Sequence, residues 1–245
     1  MIAPFAWRTV DFLSDVHLDP SELATFGAWS HHLRTTPADA IFILGDLFEV
    51  WVGDDSQDPF SLQCMDILRV TAQRVPVFFM CGNRDFLVGA QWLKATGVQP
   101  LDDPTVLKLG THNLLLSHGD ALCTGDTEYM AFRAKVRSSA WQYAFLDKPL
   151  VQRQTIAKEL RAQSKARQQA QTTYVDVDKD TARAWLIEHS CERLVHGHTH
   201  QPAWHDLGDG LSRHVLSDWE ADAAPPRLEV LRWSHDTQAL DRVKL

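Results

Sequence analysis

Five short polar clusters carry the side chains best suited to chemistry in this chain: Ser14-Asp15-Val16-His17, Gly45-Asp46-Leu47-Phe48-Glu49, Gly82-Asn83-Arg84-Asp85, Ser117-His118-Gly119-Asp120 and His196-Gly197-His198-Thr199-His200. Residues two apart on extended chain point the same way, so Asp15 and His17 can grip one ion together, and His196 and His198 can do the same. A set mixing carboxylate, imidazole and amide suits Mn²⁺, Fe or Zn²⁺ better than a thiolate site or an all-oxygen cage would. Seven candidate ligands exceed what one catalytic ion with an open position accepts, which implies two ions. Asp46 is the expected bridge, because a carboxylate can span two ions and an imidazole cannot. Alone, Asp15 with His17 would read as a cap or turn, and Asn83 with Arg84 as a turn with a surface ion pair. Five such clusters together point to two-metal hydrolysis of a phosphorus–oxygen bond. Asp120 and Glu49 read as structural hydrogen-bond partners rather than ligands.

The clusters sit at or just past short apolar runs at 9–13, 40–44, 75–80, 113–116 and 193–195. Runs this short and this apolar predict strands buried on both faces. Helical spacing over 21–35, 59–74 and 89–96 predicts βα units, and ligands in such sheets gather at the carboxyl ends of the strands. The five clusters should therefore converge on one sheet edge. The tail, at 213–216, 227–233 and 239–245, reads as strand after strand, so the expected fold is a mixed α/β sandwich with an antiparallel ending.

The region 129–173 breaks this rhythm, with helical stretches at 129–146 and 151–171 and no strand signal. Arg133, Lys135, Arg137, Lys148, Arg153, Lys158, Arg161, Lys165 and Arg167 face only Asp147 and Glu159 there, a net charge of +7 inside a chain of -8, which leaves -15 elsewhere. With Trp141, Phe145, Leu146, Leu150, Val151, Ile156 and Leu160 on the apolar side, such a hairpin could hold acyl chains and rest on an anionic membrane surface. The acidic whole argues against nucleic acid as a partner, and no obligate protein partner is evident. Four widely spaced cysteines without a CxxC pair, no signal-peptide pattern, and no apolar span of about 18 residues point to a cytosolic chain of one domain, 1–245, with the hairpin inserted.

The ordered blocks Asp15-Val16-His17, Gly45-Asp46, Gly82-Asn83-Arg84-Asp85, His118-Gly119-Asp120 and His196-Gly197-His198-Thr199-His200 resemble the calcineurin-like metallophosphoesterase superfamily. The resemblance implies a four-layer αββα sandwich with the inserted helical hairpin as a lid. Carried over by position, Asp15, His17, Asp46 and His198 would hold one ion, and Asp46, Asn83, His118 and His196 the other, with His200 outside the ligand set.

The stretches 45–55, 82–89, 118–124, 129–137 and 161–165 narrow the likeness to the UDP-2,3-diacylglucosamine diphosphatase family of lipid A biosynthesis. Membership would imply two Mn²⁺ ions and hydrolysis of the lipid-linked UDP-sugar to UMP and 2,3-diacylglucosamine 1-phosphate, at the cytoplasmic face of the inner membrane. It would also imply that a hydroxide held between the ions attacks one phosphorus in line. The alternative is a general two-metal nucleotide pyrophosphatase or phosphodiesterase acting on water-soluble substrates. Asn83 and Arg84 would be the catalytic pair, and Asn83, Arg84, Asp126, Ser164 and His196 would contact substrate. Many relatives in the superfamily carry a His where this chain has Arg84, and Arg cannot serve as a general acid at neutral pH. A diphosphate leaves as a phosphate monoester with a second pKa of about 6, so a fixed positive fork is more useful than a proton donor. Two lid contacts, usually an Asn and a Lys, are here Gln168 and Gln171, with Lys165 or Arg167 as nearby replacements of charge.

Overall fold

The computed structural model describes residues 1–170 and 175–245, except for the side chains of 165 and 167–170. Gln171, and the side chains of Lys165, Arg167 and Gln168, lie outside the described residues.

Two sheets stack face to face between helices. The first runs in the order β11-β10-β1-β2-β3-β4, and the second β5-β6-β7-β9-β8. In the first, β1 (Thr9–Leu13), β2 (Ala40–Leu44), β3 (Val77–Met80) and β4 (Gln99–Leu101) are parallel, joined by α1 (Leu23–Thr35), α2 (Pro59–Arg74) and α3 (Ala90–Thr96). The tail adds β10 (Glu229–Ser234) and β11 (Ala239–Lys244), each antiparallel to its neighbour. The second sheet contains β5 (Thr105–Leu109), β6 (His112–Ser117), β7 (Arg193–His196), β8 (Ala203–Gly208) and β9 (Leu211–Val215), with β6, β7 and β9 parallel.

Strand alternation builds the layers. Ile41 and Ile43 of β2 face Trp29, Leu33, Ile67 and Leu68 of the helices, while Ala40, Phe42 and Leu44 face Leu114, Leu116 and Val195 of the other sheet. Leu115 and Leu194 turn the opposite way, onto Ala182 and Leu186 of α7 (Lys179–Glu188). The result is an αββα sandwich. The helices start where local chemistry allows: Asp58 accepts from Ser61 N with Pro59 at the first turn, and Asp178 accepts from Thr181 N.

Among the described residues, three α-helices rather than the two expected lie between β6 and α7: α4 (Thr127–Val136), α5 (Ser139–Leu146) and α6 (Leu150–Ala170). The unforeseen break is at Ser138, whose extended backbone and side chain cap α5 at Trp141 N. The helical region also begins at Thr127, two residues before the expected start. The convergence on a single sheet edge is corrected too. Three clusters follow β1, β2 and β3 and two follow β6 and β7, so the site forms at the shared end of two sheets.

Candidate metal centre

The loops after β1 and β2 are stitched together by their backbones: Asp15 N donates to Gly45 O at 3.1 Å, His17 N to Asp46 O at 3.0 Å and Leu18 N to Leu47 O at 2.8 Å. Asp15, His17, Asp46, His198 and His200 all adopt positive φ, between 51° and 67°. Non-glycine residues rarely do so unless the surroundings over-determine them, and such strain concentrates at functional sites. Motif glycines supply room. A Cβ on Gly82 would collide with the Asp46 carboxylate, and Gly119, at φ +108°, lies against His196.

The carboxylate that ties two loops together is Asp85, a residue given no role by the sequence reading. Fully buried, it accepts from Leu47 N at 2.7 Å and Gly82 N at 2.8 Å, and more weakly from Asp46 N and Phe48 N at 3.3 and 3.4 Å. It thereby fixes Asp46 relative to Asn83. Burial and the charge of Asp46 push its carboxyl up to about 6. Asp120, also buried, accepts from Tyr129 Oη at 2.7 Å and Arg133 Nε at 2.8 Å, joining α4 to the core.

At the centre, Asp46 faces both halves of the site. Its Oδ1 is 3.7 Å from His118 Nε2, and its Oδ2 is 4.0 Å from His17 Nε2. Asn83 Oδ1 lies 2.9 Å from His118 Nε2 and 2.7 Å from His198 Nδ1. His200 Nε2 stands 3.3 Å from both Asp15 Oδ1 and His17 Nε2. Asp15, His17 and His200 bring ligand atoms together, as do Asp15, Asp46 and His118. His200, expected outside the ligand set, stands beside Asp15. Asp15, His17, Asp46, Asn83, His118 and His198 meet at these distances, and the His196 ring lies against Gly119, next to His118 in sequence.

The donors fit cations. His118 Nδ1 meets Leu44 O at 2.9 Å and His196 Nδ1 meets Gly197 O at 2.9 Å. A carbonyl only accepts, so each ring carries a proton on Nδ1, and His196, held neutral, presents the Nε2 lone pair. His196 Nε2 is buried with no hydrogen-bond partner among the described residues. Burial lowers His17, His196 and His198 to about 4, keeping them neutral as ligands must be. Burial opposes charge on His118 too, yet the carboxylates of Asp46, Asp120 and Asp15 raise it to about 9. Burial likewise opposes charge on Asp15, but hydrogen bonding and charge from His200, with His118 and His17 beyond, hold it far below the usual carboxylate range. Two nearly inaccessible carboxylates in so small a volume call for positive charge.

Arg84 borders the cluster. Its backbone N donates to Asp46 Oδ1 at 2.8 Å, and its guanidinium Nε, buried without a hydrogen-bond partner among the described residues, is 3.9 Å from Asp46 Oδ2. Asp126 caps α4, accepting from Tyr129 N at 3.0 Å, and Ser164 is exposed on α6. Over α4 to α6, Trp141 stacks on Phe145 at 4.8 Å and packs on Phe86 at 6.1 Å. A cavity of about 320 Å³ between α6 and the loop after β2 is lined by Trp51, Val52, Ala157, Lys158 and Arg161 among others. No helix among the described residues is long and apolar enough to cross a membrane.

Comparison with known proteins gives the family. The family profile of calcineurin-like phosphoesterases, whose members use divalent metals, matches residues 8–202. A protein of Xanthomonas axonopodis pv. citri (strain 306), named UDP-2,3-diacylglucosamine hydrolase, is 42% identical over 97% of this chain and 100% of its own length. One of the same name from Chromobacterium violaceum is 43% identical over 86% of this chain and 90% of its own. The solved structure of an archaeal phosphodiesterase, 11% identical, covers 97% of this chain and 99% of its own with a TM-score of 0.52, a likeness of fold alone. The chain is therefore a member of the calcineurin-like phosphoesterase family, grouped by sequence with relatives named UDP-2,3-diacylglucosamine hydrolase.

Proposed function

We propose that this chain hydrolyses the diphosphate of UDP-2,3-diacylglucosamine to UMP and 2,3-diacylglucosamine 1-phosphate, with two Mn²⁺ ions, at the cytoplasmic face of the inner membrane. The observation that carries the reading is Asp46, whose two carboxylate oxygens face His17 on one side and His118 on the other. Asp15, His17, Asp46 and His198 would hold one ion, and Asp46, Asn83, His118 and His196 the other, with His200 beside Asp15. Divalent ions there supply Lewis-acid activation of water and neutralise charge on phosphoryl oxygens.

The protein's own side chains do the rest. Water adds to one phosphorus, the phosphorus–oxygen bond of the diphosphate breaks, and two phosphate monoesters leave. Such a leaving group has a second pKa of about 6 and needs little help from an acid. The Arg84 guanidinium, permanently charged, stabilises the developing negative charge, a role supported by its Nε, which has no hydrogen-bond partner among the described residues. Asn83 orients the phosphate, and His196, Asp126 and Ser164 contact the head group.

The chain acts as one domain, 1–245, and the helices of 129–173 act as its lid. Acyl chains lie between lid and core, a reading supported by Trp51, the Phe86–Trp141–Phe145 group and the adjoining cavity. Exposed Tyr143, Leu146 and Val151 around Lys148 at the α5–α6 corner support contact with an anionic membrane. The test compares turnover with Mn²⁺, read as UMP release from the diacylated UDP-sugar and its acyl-free analogue, AMP release from ADP-ribose, and cleavage of a simple phosphodiester. The diacylated substrate should turn over fastest by far; equal turnover of the acyl-free analogue would defeat the lipid reading in favour of a general pyrophosphatase.

A further inference from the structure

Helix α6 reaches the metal centre through a chain of three side chains. Arg161 Nη2 is ion-paired with Glu49 Oε1, and the other oxygen of the same carboxylate, Oε2, lies 3.0 Å from His17 Nδ1. That ring nitrogen is buried and makes no hydrogen bond among the described residues, so Glu49 holds it by proximity and charge, while Nε2 faces Asp46 and His200. Glu49 has little freedom to drift, because its own N donates to Leu18 O at 3.2 Å within the stitched pair of loops. At its start, α6 is anchored to the core by the buried Arg153, which donates to Val52 O at 2.6 Å and Asp55 Oδ1 at 2.8 Å. Arg161 follows about two turns later.

We propose that Glu49 is a positioning residue through which α6 sets the His17 ring, so that seating of the helix on the core and metal binding form one coupled equilibrium. This deepens the phosphoesterase reading above and rests on it. A carboxylate at the outer nitrogen of an imidazole fixes its tautomer and orientation for a metal at the inner one. The second oxygen of Glu49 is committed to Arg161, so movement of α6 away from the core releases that restraint. Linkage then works in both directions, and whatever factor seating adds to metal affinity, bound metal adds to seating. A solvated Arg–Glu pair contributes little by itself; joined to a candidate ligand, it connects an inserted helix to the centre of the site.

The test measures Mn²⁺ affinity by titration calorimetry, without substrate, for the wild type, Glu49→Gln, Arg161→Ala and the double variant. Hydrogen exchange over residues 150–164 is followed in parallel, with and without Mn²⁺. Each single variant should bind Mn²⁺ about tenfold more weakly, and the double variant no more weakly than Glu49→Gln alone. Mn²⁺ should slow exchange in α6 of the wild type and not of Glu49→Gln. Thr155→Ala, on the exposed side of the same helix, should bind Mn²⁺ as the wild type does, which separates coupling from mere weakening of α6, and circular dichroism verifies folding. Wild-type affinity in Arg161→Ala, or equal slowing of exchange in wild type and Glu49→Gln, overturns the proposal. Neither readout uses UMP release: absent coupling with hydrolysis intact refutes this inference alone, whereas coupling without hydrolysis of the diacylated sugar refutes the function proposed above.

Discussion

Replacing Asp85 by alanine should cost more stability than its distance from any substrate suggests. Its carboxylate receives two short bonds, from Leu47 N at 2.7 Å and Gly82 N at 2.8 Å, and two long ones from Asp46 N and Phe48 N. Each buried amide left without an acceptor costs about 1–3 kcal/mol. The two short bonds therefore set a gross loss of about 2–6 kcal/mol, and the long ones add little. Burial and the neighbouring charge of Asp46, which raise the Asp85 carboxyl to about 6, return part of this when the carboxylate is removed. A net loss of about 2–4 kcal/mol remains, which for a chain of this length lowers Tm by roughly 5–15 °C. Asp85→Asn retains one acceptor oxygen but turns a donor amide toward other donors, so it should fall between alanine and wild type. Thermal melts of the metal-free protein followed by circular dichroism give the comparison. Asp85→Ala melting within about 2 °C of wild type would refute the reasoning, since it would mean that water or a rearranged loop satisfies those amides at no cost.

Two further outcomes follow from the same geometry. Gly82→Ala places a methyl group against the Asp46 carboxylate and backbone; turnover should fall about 100-fold through displacement of Asp46 and Asn83, with far-ultraviolet dichroism unchanged, and near-normal turnover would show that the loop shifts without consequence. The second concerns Asp11, a buried residue of β1. Burial opposes its charge, but Arg232 at 2.7 and 2.9 Å, His32 at 3.3 Å and Thr36 at 2.6 Å outweigh it and lower its carboxyl to about 2. A folded-state value below the unfolded 3.8 means that the ionised group contributes stability above about pH 4, which is lost as pH falls toward 2. That contribution is about 2 kcal/mol, and in Asp11→Asn the urea midpoint should depend less steeply on pH across this window; identical slopes would contradict it.

The amino-acid sequence by itself determined the polar clusters and the first strands that deliver them. Continuous apolar runs marked β1 and β2 at their observed limits, because strands buried on both faces need no alternation. Edge strands were another matter. β4 carries two exposed residues, Gln99 and Pro100, and β8 alternates between partly buried and exposed, so neither presents an apolar run to read. The α4–α5 break was legible only as Ser138, a cap signal lost inside an otherwise helical stretch. Tertiary structure alone decided that two sheets share one functional end, that His200 comes to 3.3 Å from Asp15 across 185 positions of sequence, and that Asp85 gathers the amides of two loops. It also decided that Arg161 meets Glu49. Periodicity and motif spacing are local quantities, set by residues a turn or a pleat apart. Which distant loops meet depends instead on which faces of the sheets bury one another, and that choice is made by the whole core together.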